Sequence, residues 1–311
     1  TMRIVFAGSS EYAVPALEEL VARRKHQIVL VLSQPARPKG RKLILEDTPL
    51  TNAARLLGLN VYCPEDVNSP ESLTRISKAV PHILITTSFG AFLGKELREL
   101  PRYGAINLHP SLLPLHRGSS PMRSAILSGD VITGNSIFRL SRKMDAGPIL
   151  MQEQLQIGDG ENYSSLHDRL ANQAAMMLPD LLDRIPGIEE QKQDHSRASY
   201  SKLITKSDLK LDFTLPAADL IRRIRAYALE PGAYTVFRGR ELKILSAVSL
   251  PSPKSYAPGC ISAVIKNKGF TIAASDAELL ISSMQAAGKT QMDAYTYSLG
   301  ARFKPGERID Q

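Results

Sequence analysis

Long apolar runs are missing from this chain: none approaches the ~20 consecutive residues that a helix needs to cross a bilayer. That excludes a helical membrane protein. Only two cysteines occur in 311 residues, Cys63 and Cys260, far apart and without the paired spacing of a metal site. They read as buried or partly buried thiols of a reducing compartment rather than a disulfide framework. No low-complexity tract and no internal repeat is present. The start Met2-Arg3-Ile4-Val5-Phe6-Ala7-Gly8 lacks the longer apolar region of a secretory signal and enters a strand pattern at once, so the cytoplasm is the expected location. The glycine fingerprint of a dinucleotide site is absent too. Gly8-Ser9-Ser10 has no second and third glycine where they are needed. No His, Cys and Asp spacing suggests a metal.

What is present is an ordinary globular composition with a basic balance. Lys plus Arg number 39 against 31 Asp plus Glu, a formal net charge of +8, which favours a polyanionic partner such as RNA. The length allows two domains with separate cores. Arg3 to Gly8, Gln27 to Ser33 and His82 to Ser88 are Val-, Ile- and Leu-rich runs of the kind buried on both faces of a sheet. Helical patterns over Val14 to Arg24, Pro49 to Leu57 and Pro70 to Ala79 alternate with them, the last opened by Asn68-Ser69-Pro70. Alternation of this kind predicts an α/β domain with a doubly wound, mostly parallel sheet. It continues through a short helix from Lys95, the Ala105 strand, a helix from Pro121, a strand from Gly134 to Leu140 and a long helix from Ser164 to Ile185.

Residues 189–207 are polar and without period, which predicts a linker or surface strap between a domain over 1–188 and another over 208–311. The second begins with a helix from Leu215 to Ala228. Short strand runs follow at Ala233 to Phe237, Glu241 to Val248, Gly259 to Ile265, Gly269 to Ala274 and Glu278 to Met284, the pattern of a small β-barrel.

Asn107-Leu108-His109-Pro110 carries the most chemistry. In a strand ending here, Asn107 and His109 project from the same face. An amide and an imidazole side by side can clamp a carbonyl oxygen acquiring charge. Asp145, between Met144 and Ala146-Gly147-Pro148, is either a turn former or a carboxylate facing His109. In the second case it raises the imidazole pKa and helps move a proton. Together they allow acyl transfer to an amine without a covalent enzyme intermediate. His116 reads as a surface or rim residue. The loop Arg37-Pro38-Lys39-Gly40-Arg41-Lys42 is expected to lack regular structure and to be poorly ordered when free. It is either a solvated charged loop or one that orders on RNA. Arg222, Arg223 and Arg225 are either a solvated face or a phosphate contact.

Asn107-Leu108-His109-Pro110-Ser111-Leu112-Leu113-Pro114, Arg117-Gly118, Pro121 and Met144-Asp145-Ala146-Gly147 together resemble the folate-dependent formyltransferases, and the likeness extends over essentially the whole chain. The opening Arg3 to Gly8 and the basic loop Gln34 to Lys42 are similar to that family as well. The resemblance implies a Rossmann-like formyltransferase domain followed by an OB-like barrel. Asn107, His109 and Asp145 become catalytic. Phe89, Gly90, Ser111, Leu112, Leu113 and Pro114 become contacts for the co-substrate 10-formyltetrahydrofolate. Arg37, Lys39, Arg41 and Lys42 become tRNA contacts, with a charged initiator methionyl-tRNA as acceptor. A metal-free monomer is expected. Ser119-Ser120 and Thr87-Ser88-Phe89-Gly90 depart from the family's usual residues at those places.

Overall fold

The structure, a computed structural model, describes residues 1–39, 43–251 and 256–310. In chain order the first elements are β1 (Arg3–Gly8), α1 (Val14–Arg23), β2 (Gln27–Leu32), β3 (Arg37–Lys39), β4 (Ile44–Glu46), α2 (Pro49–Leu56), β5 (Val61–Tyr62) and α3 (Pro70–Lys78). Then come β6 (Ile83–Thr87), α4 (Lys95–Glu99), β7 (Ala105–His109), β8 (Arg117–Gly118), α5 (Pro121–Ser128), β9 (Ile132–Arg139), β10 (Ile149–Gln156), α6 (Tyr163–Arg184) and β11 (Tyr200–Ser201). Local chemistry sets the helix starts. Thr48 and Ser69 accept the amides of Thr51 and Ser72, and a proline occupies the first turn behind each cap. α1 buries Ala16, Leu17 and Leu20, one stripe at helical spacing.

Two compact units result: Thr1–Pro121, Ile132–Gln156 and His167–Ser201 in the first; Met122–Val131, Ile157–Leu166 and Lys202–Gln311 in the second. The first is built on a seven-stranded sheet in the order β10-β9-β7-β6-β1-β2-β5. β5, β2, β1, β6 and β7 run parallel, and β9 alone is reversed, pairing antiparallel with β7 on one side and β10 on the other. The chain leaves β1 towards β2 and β5, then returns to lay β6 on the other flank of β1. The switch point is therefore between β1 and β6, and the crevice beyond their carboxyl ends is where such sheets take ligands. The expected fold class is the one found. β1 is covered on both faces, with Ile4, Val5, Phe6 and Ala7 wholly buried. One side packs Val5, Ala7, Leu30, Leu32 and Leu84 against Ile76, Phe89 and Leu97.

Residues 191–201 are bonded into the first unit. Ile149 and Gln191 exchange backbone hydrogen bonds of 2.7 and 2.8 Å, and β11 pairs in parallel with β8. For Arg37 to Lys39 the expected lack of regular structure is corrected: they form one strand of a two-stranded ribbon, with Arg37 opposite Glu46 and Pro38 opposite Leu45. Pro38 is tolerated because each strand of an isolated ribbon has a free edge.

The second unit holds α7 (Ala217–Tyr227), β12 (Ala233–Phe237), β13 (Arg240–Leu250), β14 (Ile261–Ile265), β15 (Gly269–Ala273), β16 (Glu278–Ala286), β17 (Met292–Asp293) and α8 (Ala294–Ala301). Its antiparallel sheet runs β12-β13-β16-β15-β14, with β17 on β16. Both outer strands also bond the end of the chain, through bridges Val236 to Asp310 and Cys260 to Arg308, so the sheet closes through that segment. Gly269 has φ +143°, and a Cβ there would stand 1.8 Å from the Ile281 carbonyl oxygen, so only glycine fits. No helix among the described residues is long and apolar enough to cross a membrane.

Candidate active site

The carboxyl end of β7 lies between β6 and β9. Asn107 is in register with Thr86 on β6, whose hydroxyl donates to Asn107 Oδ1 at 2.7 Å. That bond orients the carboxamide and leaves Nδ2 as its donor. His109 is opposite Ser136 on β9 and is buried, its ring meeting Phe138 edge-on at 6.4 Å between centroids. Nε2 of His109 donates to the His116 carbonyl oxygen at 3.0 Å, and Nδ1 faces Asp145 Oδ2 at 3.7 Å. Two of the three expected catalytic side chains are thus side by side, and Asn107 projects from the same strand end.

Asp145 is held from both ends. Its Oδ2 accepts the Gly118 amide at 2.7 Å, and its backbone carbonyl accepts Gln193 Nε2 at 2.9 Å. Gly118 is needed here: φ is +107°, and a Cβ would stand 2.6 Å from the Ser201 carbonyl oxygen. Burial drives the His109 imidazole below its ordinary 6.5, while the Asp145 charge and the bond to His116 push it upward, and burial prevails. The expected rise is therefore corrected. Asp145 contributes in the expected sense, but a ring removed from water favours its neutral form more strongly.

His116, expected at the rim, is 7 % exposed with φ +55°, its backbone turned so that the carbonyl meets His109. The segment Ser111 to Pro114 is fastened by Ser136. That hydroxyl donates to the Ser111 carbonyl at 2.6 Å and accepts the Leu113 amide at 3.0 Å and Gln152 Nε2 at 2.7 Å. Leu113 packs with Phe138 and Ile149, and Leu112 lies over Gly134, where a Cβ would be 2.7 Å from its Cδ2. Phe89 is buried, and its carbonyl accepts from Ser9 Oγ at 3.1 Å and Gln34 Nε2 at 3.2 Å. Gly90 follows with φ +79°. These residues lie where β6 and β7 end, at and beside the switch point.

Of the basic residues, Arg37 is exposed and pairs with Glu65 at 2.8 Å, and Lys39 ends β3. Arg41 and Lys42, with the expectation about their order, lie outside the described residues. Arg222, Arg223 and Arg225 have intramolecular partners: Asp219, the Asp208 carbonyl and the Glu161 carbonyl. That favours a structural role over a phosphate contact.

The formyl transferase family pattern matches residues 2–182, and its C-terminal domain pattern matches 203–302. The chain belongs to the formyl transferase family. Among curated relatives, "Methionyl-tRNA formyltransferase" of Thiobacillus denitrificans is 35 % identical, covering 99 % of both chains. The protein of that name from Roseiflexus castenholzii is 38 % identical, again over 99 % of both. Solved structures share the fold at low identity. HypX from Aquifex aeolicus in complex with tetrahydrofolic acid has a TM-score of 0.66 at 15 % identity, over 98 % of this chain and 48 % of that longer one. An N-formyltransferase from Helicobacter canadensis has a TM-score of 0.65 at 17 % identity, over 92 % of this chain and all of that one.

A formyl transferase needs donors where negative charge gathers on the formyl oxygen and an acceptor for the amine's proton. At the end of β7 the Asn107 amide and the His109 N–H are hydrogen-bond donors, and the Asp145 carboxylate beside them is a hydrogen-bond acceptor. Sequence reasoning missed Thr86, Ser136, Gln152 and Gln193. The one signal was Gly134-Asn135-Ser136, small and polar residues inside a strand otherwise buried. Among the described residues, no group of three or more His, Cys, Asp or Glu side chains is placed to hold a metal ion.

Proposed function

We propose that this formyl transferase moves the formyl group of 10-formyltetrahydrofolate to the amino group of methionine on initiator tRNA. The observation that carries the reading is correspondence over both ends of the chain with proteins named for methionyl-tRNA, at 35 and 38 % identity. The net charge of +8 supports a polyanionic acceptor. A tetrahydrofolate in a protein of the same fold supports the co-substrate.

The residues at the switch point suit a flat polar heterocycle. Gly90 has only Gln34 Cγ, at 3.9 Å, near the place of a Cβ, so its face is open. Phe89, Gly90 and Ser111 to Pro114 would hold the folate. It supplies a formyl carbon bonded to a nitrogen that can leave as an amine.

The chain's own groups do the rest. Asn107 Nδ2 donates to the formyl oxygen as charge develops, and His109 adds its N–H by exchanging the His116 carbonyl for that oxygen. Asp145, beside Nδ1, collects the proton that the attacking amine sheds and passes it towards the departing nitrogen. Arg37, Lys39, Arg41 and Lys42, with the second unit, hold the tRNA.

Formyl-transfer rates on charged initiator tRNA, free methionine and a nucleotide-linked amino sugar test the reading. The tRNA should lead in kcat/KM by a factor of about 10³ or more, as expected when remote contacts drive orientation. Comparable transfer to the amino sugar, or none to the tRNA, refutes the proposed acceptor.

A further inference from the structure

The strap from Gln191 to Ser201 reaches both loops that hold the histidine and the aspartate. Its one buried side chain is Gln193, 7 % exposed. Both hydrogens of the Gln193 amide are used: Nε2 donates to the Asp145 carbonyl at 2.9 Å and to the Gly147 carbonyl at 2.7 Å. Oε1 accepts from Arg117 Nη2 at 2.7 Å and Nε at 3.3 Å. Arg117 is itself 3 % exposed, and it also donates to His195 Nδ1 at 2.8 Å and the Tyr200 hydroxyl at 3.2 Å.

None of those partners is a carboxylate, and two of the buried guanidinium's hydrogen bonds fix the Gln193 amide. The backbone it fixes is unusual. Asp145 has φ +49°, a region a non-glycine residue visits rarely, and such a conformation persists only when its surroundings enforce it. The Gly118 amide holds the carboxylate, while Gln193 holds the peptide behind it.

We propose that Gln193, clamped by Arg117, is a positioning residue for formyl transfer: it sets the Asp145 backbone so that the carboxylate stands beside His109. The proposal rests on the reading that Asp145 acts on His109. A segment that looked like a linker by composition thereby becomes part of the site. Displacement of a reacting group by about 1 Å costs on the order of 10²-fold in rate. Loss of the clamp should therefore act on turnover and leave binding largely alone.

The test is a double-variant cycle on the full chain. Gln193→Leu, which keeps the volume and removes both donors, should lower kcat by roughly 10- to 100-fold with KM for folate and tRNA within about twofold. In the Asp145→Ala background the same substitution should add almost nothing, because the group it positions is gone. Gln193→Glu keeps the shape and the acceptor for Arg117, and it carries the same cycle if the leucine variant is recovered unfolded. Wild-type turnover in the single variant overturns the proposal. So do multiplicative losses in the double variant, which mark a general structural effect. Near-normal turnover in Asp145→Ala is a separate result: it removes the underlying reading of the site and this proposal with it.

Discussion

Asp145 Oδ2 stands 3.7 Å from His109 Nδ1, within ion-pair range and beyond hydrogen-bond length. With Nε2 donating to the His116 carbonyl, a neutral ring turns its Nδ1 lone pair towards the carboxylate. A proton arriving there has two acceptors. Asp145 is one of the contributions that hold the imidazole pKa up against burial, so Asp145→Asn should make His109 titrate at lower pH than in the wild type. Ring-nitrogen NMR across the titration measures this, and an upward movement would refute the electrostatic role.

The same burial has a consequence for stability. The folded His109 pKa lies below the ordinary 6.5, so over that interval the unfolded chain binds more protons than the folded one. The stabilisation is complete above 6.5 and is lost as pH falls through the folded value. His109→Gln should flatten that part of the profile in urea unfolding as pH falls from 6.5. An unchanged slope would place the proton uptake elsewhere, His26 being the other imidazole lowered by burial.

Truncating the β7 side chains separates binding from chemistry. His109→Ala should cut turnover by roughly 10² or more, and Asn107→Ala by about 10² to 10³, the scale of losing a donor to a developing oxyanion. KM should move little, since these groups act where charge appears. Asn107→Ala also leaves the Thr86 hydroxyl without its side-chain acceptor, so its fold should be checked by circular dichroism. Normal turnover in His109→Ala would sink the assignment.

Much of this was legible in the sequence because it rested on side-chain pattern. Buried runs such as Ile4-Val5-Phe6-Ala7 mark central strands, and a period of two puts Asn107 and His109 on one face. β10 was not legible. From Met151 it reads Met-Gln-Glu-Gln-Leu-Gln, polar because it is the outermost strand of its sheet. α8 was missed because Ala-Tyr-Thr-Tyr-Ser-Leu-Gly-Ala has weak helical propensity, and only Asp293, accepting the Thr296 amide, signals its start. Ser136 and Gln193 are invisible for another reason. Most of their partners are backbone amides and carbonyls of distant loops, and such bonds impose no spacing on the sequence.

Ser136→Ala should expose that hidden role. It strips a hydroxyl that serves the Ser111 carbonyl, the Leu113 amide and Gln152 in a wholly buried place. Unsatisfied groups there should cost about 1–3 kcal/mol, read from denaturant midpoints. The Ser111 to Pro114 segment should loosen with it, raising KM for the folate more than it lowers kcat. Unchanged stability together with unchanged folate KM would mean that the loop is held by apolar packing alone.

The ribbon that carries Arg37 supplies the last test. Arg37 pairs with Glu65 at 2.8 Å, but both side chains are well exposed, so Arg37→Ala should change stability by less than about 1 kcal/mol. If Arg37 meets tRNA phosphates, its removal should weaken tRNA binding and lower the salt slope of log affinity by about 1, because one fewer counterion is released. Folate KM should stay as it is. Arg41→Ala should go further and lower kcat at saturating tRNA, if that side chain brings the methionyl end to the formyl carbon, since misplacing a reacting group is costly even when binding survives. Measurements of tRNA affinity at several salt concentrations, with kcat at saturation, separate attraction from positioning. Salt slopes unchanged in both variants would leave both side chains outside the tRNA path, and a raised folate KM would move them to the co-substrate side.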